Sequence, residues 1–177
     1  MANATALDRR DRSIVTLAGV APDLDGLGAI PELLTRNSAH PLEWFSRYHH
    51  VLGHNLGFAL VVTGASFALA TKRWKTAALA CATFHLHLLC DVLGARGPDG
   101  DQWPVPYLLP FSHAWQWTWS GQWALNGWQN FAITGVMLAS AFYLAWARGF
   151  SPLEMVWAKG DRAFVVALRE RFGTPKA

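Results

Sequence analysis

The chain has 177 residues, 52% of them hydrophobic, with 10 Trp, only 15% charged and a formal net charge of +3. That length allows one domain, here residues 1–177, and that composition is more apolar than an ordinary soluble domain. The basic residues form small groups between apolar segments rather than a stripe, so nucleic acid is not an expected partner.

The N-terminus, "MANATALDRRDR", mixes acidic and basic residues, and no uncharged apolar stretch with a small-residue cleavage site follows it, so no removable signal peptide is expected. A short apolar segment, Ser13 to Val20, then stops at "APDLDG". Pro22 should break a helix there and leave Asp23 and Asp25 in a turn, where short carboxylates reach a metal or free backbone N–H groups.

Three later windows are long and apolar enough to span a bilayer: Val51 to Ala70, Thr76 to Leu93 and Asn130 to Ala147. The basic residues orient them. Arg9, Arg10 and Arg12 precede the first segment, Lys72, Arg73 and Lys75 separate the second from the third, and Arg148, Lys159, Arg162, Arg169, Arg171 and Lys176 follow the last, which leaves only Arg36, Arg47 and Arg96 of the 15 for the other two loops. The positive-inside rule then predicts about four crossings with both termini cytoplasmic, an all-α polytopic membrane bundle. A soluble all-α domain with an aromatic surface is the competing architecture, and three apolar windows agreeing with the charge bias weigh against it.

The window from Thr76 runs into "TFHLHLLCDVLGARG", in which Asp91 sits among apolar neighbours. An unpaired carboxylate inside a membrane helix costs several kcal/mol, so Asp91 requires a cation, a proton or a donor. His87 lies four residues earlier, on the same helical face, whereas His85 lies about 200° round from His87 and is expected to hydrogen-bond to a neighbouring helix. By the same spacing His50 and His54 share a face if both lie on one helix. Cys81 and Cys90 are nine residues apart, about 13.5 Å along a helix, too far to bridge. His40 and His113 are read as ordinary hydrogen-bonding residues.

The loop "DQWPVPYLLPFSHAWQWTWSGQW" is crowded with Trp, Tyr and Pro and should lie along the outer headgroup layer. The C-terminal "MVWAKGDRAFVVALRERFG" reads as a short amphipathic helix, with Trp157, Phe164, Val165 and Leu168 facing either lipid or the bundle it caps.

With this sidedness, Asp23, Asp25, His49, His50, His54, His87 and Asp91 fall in one layer near the outer surface, and all seven are candidate metal ligands. Mixed imidazole and carboxylate donors suit Zn²⁺, with Mn²⁺ or Fe²⁺ as alternatives. Seven candidates exceed the four of a tetrahedral site, so either some orient the ligands or two metals are held.

At these residues the sequence resembles the YdjM-like family of bacterial inner-membrane metal-dependent hydrolases. Three blocks carry the likeness in order over roughly residues 13 to 112: a "PDxD" block, here "APDLDG"; a block like "HRGFTHSL", here "HHVLGHNL"; and a block like "SHxxxDxLTPxGxxLLWP", here "LHLLCDVLGARGPDGDQWPVPYLLPFS". The resemblance implies a bacterial inner-membrane location and puts the family ligands on Asp23, Asp25, His49, His54, His87 and Asp91, whereas helix spacing selects His50 rather than His49. It departs at His50, Gly53 and Asn55, where the family pattern has Arg, Thr and Ser. The implied function is a membrane-bound metal-dependent hydrolase acting on a phosphoester or lipid-linked substrate at the outer face, with membrane lipids as partners, Asp25 as candidate base and His50 as a further catalytic candidate. The contrasting expectation is a non-enzymatic metal-binding, or metal- or proton-transporting, protein. Against it, the inner halves "SIVTLAGV", "VVTGASFALA" and "TAALACA" carry no ionisable residue.

Overall fold

A computed structural model describes residues 1–2, 5–97 and 100–175. Among them the chain is helical, with two isolated β-bridges and no strand. The helices are α1 (Arg9–Val20), α2 (Ala29–Thr35), α3 (Trp44–Tyr48), α4 (Leu56–Leu69), α5 (Arg73–Gly94), α6 (Trp128–Arg148) and α7 (Ala158–Phe172), with 3₁₀ segments at Ala21–Gly28 and Pro152–Met155.

The first apolar segment is longer than its sequence suggests. Pro22 falls at the start of the 3₁₀ segment, where its missing N–H costs nothing, and the chain continues without a turn through Asp23 and Asp25 into α2. Arg9–Thr35 is thus one helical run of 27 residues, and it joins α5 (22 residues) and α6 (21 residues) as helices long and apolar enough to cross a membrane.

The second segment is shorter than expected. Residues 49–55 form an irregular turn, and α4 keeps 14 residues, about 21 Å at 1.5 Å per residue against a hydrocarbon core of about 30 Å. Its start is fixed by Asn55, whose Oδ1 accepts from Phe58 N at 2.9 Å while its Nδ2 donates to the carbonyls of Val51 (2.7 Å) and Leu52 (2.9 Å). The next two N–H groups, of Leu56 and Gly57, are taken by the carbonyls of Tyr107 and Leu109, which pins the aromatic loop across this end of the helix.

Helix α5 is the central element, packed against both α1 and α4. Phe84 and Leu88 on it are fully buried and join Ala59, with Tyr107 and Trp117 of the loop packed against them. The loop therefore contributes to the core rather than only coating a surface. His85 bonds to this loop instead of a neighbouring helix, with Nε2 and Tyr107 Oη 2.8 Å apart and Nδ1 2.8 Å from Cys81 O.

At the opposite end, fully buried Asp11 accepts from Thr71 N and Lys72 N (2.8 Å each) and Thr76 Oγ1 (2.9 Å), tying α1 to the start of α5. Arg12 forms a bidentate pair with Glu154, Nε–Oε1 2.6 Å and a second N–H to Oε2 at 2.8 Å, and lies 3.7 Å over the Phe150 ring. These contacts anchor the segment leading into α7. On α7 Val165 and Leu168 are buried, so of the two expectations for its apolar face these residues take the bundle-capping one, while Trp157 is exposed and Phe164 meets Phe142 edge-on.

Candidate metal centre

The site begins with Asp25, whose side chain is 2% exposed. Its Oδ1 is 2.9 Å from His49 Nδ1; its Oδ2 accepts from Gly53 N at 2.9 Å and lies 3.1 Å from His54 Nδ1. Both oxygens are committed to holding the 49–54 turn. The turn can approach the 3₁₀ segment this closely because residue 53 is glycine: a Cβ there would collide with the Pro22 carbonyl.

With Nδ1 turned to Asp25, the free nitrogen of buried His54 is Nε2. It faces Asp91 Oδ2 at 3.3 Å and Asp23 Oδ1 at 4.0 Å. His87 Nε2 approaches the same two carboxylates, at 3.2 Å from Asp91 Oδ2 and 3.4 Å from Asp23 Oδ1. His87 and Asp91 meet because α5 is a regular helix here and they are four residues apart. His54 Nε2, His87 Nε2 and Asp91 Oδ2 are all buried, yet none has a hydrogen-bond partner among the described residues. The short N–O separations are ion-pair contacts with off-line geometry. Buried polar atoms without partners are rare in folded proteins, and here three point at each other.

His50 reaches the cluster by a route that spacing does not describe. It lies in the turn, not on α4, with φ of 66°, a conformation non-glycine residues seldom adopt. Its ring centroid is 4.5 Å from that of His54 and 5.0 Å from that of Trp103, and its buried Nδ1 has no partner among the described residues.

Two sets of ligand atoms lie within 4.8 Å of one another: Asp23, His54 and His87, and His50, His54 and Asp91. Of the seven expected ligands, five are in these sets. His49 and Asp25 are in neither; His49 stacks on Phe45 and bonds Asp25. His40 and His113 are exposed and outside both sets.

The charges follow from this geometry. For His54, burial favours the neutral ring, but bonding to Asp25 and the charge of Asp91 outweigh it and push its pKa up to about 9. His50 goes the other way: burial and the His54 charge depress it to about 4, so it is neutral at pH 7. Without a cation, a proton on His54 balances the carboxylates. The donors fit a divalent metal, since displacing that proton leaves neutral imidazole nitrogens beside carboxylate oxygens, within each set close enough to share an ion.

Fold and cluster together define a helical membrane protein with a candidate metal centre near one end of its bundle. The chain belongs to the YdjM inner membrane protein family, whose model matches residues 2–167. No curated protein and no solved structure matches it.

Proposed function

We propose that this protein is a membrane-bound metal-dependent hydrolase of the bacterial inner membrane, acting on a phosphoester or lipid-linked substrate at the outer face. The observation that carries the reading is the convergence of His54 Nε2, His87 Nε2 and Asp91 Oδ2, buried and without hydrogen-bond partners among the described residues. Asp23, His54, His87 and Asp91 are the proposed ligands. Two imidazoles and two carboxylates suit Zn²⁺ best, and Mn²⁺ or Fe²⁺ accept the same donors.

The two ligand sets share His54. Its Nδ1 is engaged by Asp25, and its remaining nitrogen can serve one ion, which favours one metal over two. A divalent cation held there supplies Lewis-acid activation of water and of the scissile group. Asp25 fixes the His54 tautomer and the turn, a positioning role, because neither of its oxygens is free for substrate. His50, neutral and unbonded at Nδ1, is the candidate base that takes the proton from the attacking water. His49 holds Asp25 from the other side.

A transport role needs further relay groups toward the opposite end of the bundle. The buried carboxylates there are already occupied: Asp11 by Thr71, Lys72 and Thr76, Glu154 by Arg12, and Asp161 by Ser151. The test joins metal analysis of the purified protein with turnover of phosphoester lipids. One equivalent of metal, lost in His87→Ala together with metal-dependent hydrolysis, is the expected result. Metal flux into proteoliposomes without hydrolysis of any such substrate would overturn it.

A further inference from the structure

One member of the Asp–His cluster, Asp91, forms part of the wall of a groove between α5 and α6. Cys90, Leu93, Trp123, Phe131, Ile133 and Thr134 line this groove, about 420 Å³ in volume, and Asp91 is the one charged residue on it. That volume falls within the range of small-molecule sites, roughly 300 to 1,000 Å³. One end of the groove is closed by Asn130, which donates to Gly94 O at 2.7 Å and Leu125 O at 2.8 Å and accepts from Trp123 Nε1 at 2.9 Å. Beyond this tie α6 packs chiefly against α7, and its buried residue, Ala145, is far along the helix. Since both flanking helices are long enough to cross a membrane, the open side of the groove would meet lipid in a bilayer.

A second apolar groove, about 380 Å³, runs between α1 and α4 past Leu17, Ala18, Leu24, Val62, Ala65 and Leu69, and none of the ligand-set residues lines it. The two grooves thus share an apolar lining and differ in what lies at the end: the first stops on a carboxylate that faces His54 and His87. On the loop side, a separate cleft of about 410 Å³ is lined by Phe45, Arg47, His49, His50 and Trp103, which brings it to the His50 side of the same cluster; Arg47 there is paired with Glu43 Oε2 at 3.2 Å. An apolar groove that runs up to a carboxylate of the Asp–His cluster matches an occupant with an apolar chain and a reacting head.

We infer that the α5–α6 groove holds the apolar chain of an amphiphilic phosphoester, which reaches the Asp–His cluster sideways out of the bilayer. The inference rests on the hydrolase reading for its chemistry and on the groove for its substrate class. Binding energy from the chain, remote from the reacting bond, then positions the ester at the cluster, so shortening the chain costs turnover as well as affinity.

The full chain, reconstituted in phosphatidylcholine vesicles with Zn²⁺, tests this with two phosphoester probes sharing one head group, one long-chained and one short-chained and water-soluble. Thr134→Trp and Ile133→Trp should each lower the ratio of long-chain to short-chain kcat/KM at least tenfold, while Ala65→Trp, which fills the α1–α4 groove, should leave the ratio within twofold. Retained metal content shows that each variant is folded. An unchanged ratio in both groove variants would overturn the inference. Independently of activity, a lipid with a diazirine in its chain should cross-link to Cys90 and Phe131–Thr134 in preference to the α1–α4 groove; equal labelling of the two grooves would also overturn it. If neither probe is hydrolysed while this preference holds, the hydrolase reading falls and the chain site stands.

Discussion

Asp25 is a carboxylate that orients the proposed ligands without belonging to either ligand set. Its two oxygens hold His49, Gly53 and His54, and through His54 Nδ1 it determines which nitrogen faces Asp91. Removing such an orienting partner typically weakens metal binding about 10- to 100-fold. Asp25→Asn should therefore lower metal affinity by that amount, measured by chelator competition, whereas Asp91→Ala should abolish stoichiometric binding. The proton on His54 adds a pH dependence. Its pKa near 9 means that metal must displace a proton below that pH, so apparent affinity should rise about tenfold per pH unit between pH 7 and 8 from this group alone and level off above 9. For the metal-free protein the sign is opposite: the raised His54 pKa contributes stability that is full below about pH 6.5 and is lost as pH rises through 9. Thermal melts in chelator and in Zn²⁺ should thus separate as pH increases, and parallel curves would show that His54 is not a ligand.

The turn before α4 is the element on which site and fold depend together. A regular helix from Val51 would have carried His50 and His54 on one face, as their spacing predicts; instead Asn55 caps α4 late, and His50 sits at positive φ. Hydrophobicity marks where a segment is apolar, but the start of this helix depends on the Asn55 cap and on carbonyls from Tyr107 and Leu109, which are distant in sequence. On α5 the same spacing argument holds, because nothing interrupts the helix between His87 and Asp91. The candidate ligands were thus legible wherever burial made them costly, as with Asp91 in its apolar run. The positioning role of Asp25 was not, since it requires knowing that the turn folds back onto Pro22. Buried Asp11 was illegible for a similar reason: inside "LDRRDR" it looks like one more surface charge until Thr71, Lys72 and Thr76 close over it. Gly53→Ala should cost about 1 to 3 kcal/mol through the collision with the Pro22 carbonyl, and more in metal affinity than in melting temperature, because the strain falls on the turn that carries His50 and His54. A full loss of folding on heating without any change in metal binding would contradict this.

At the scale of the molecule, the membrane and the site impose one geometry. The candidate ligands gather at one end of α5, and most of the basic residues, Arg36, Arg47 and Arg96 excepted, gather on loops and termini away from it, with Arg9, Arg10, Arg12, Lys72, Arg73 and Lys75 close to the buried Asp11 network. Helix α4 is too short to span hydrocarbon unaided, and irregular backbone at membrane depth is tolerated only where protein covers it or it lines a cavity. The 49–55 turn meets that condition: Trp103 lies edge-on to His49 and His50, and the aromatic loop pairs with the start of α4. Reporter fusions after Ala177 and within the loop at Gly100 should then report opposite sides of the membrane, the C-terminus cytoplasmic and Gly100 outside. Moving the basic groups should move the protein: replacing Lys72, Arg73 and Lys75 by Gln while adding three Lys around Gly100 should weaken or invert that assignment, since Lys and Arg near helix ends set orientation. Both reporters on one side of the wild-type protein would remove the fourth crossing and, with it, the outward-facing site.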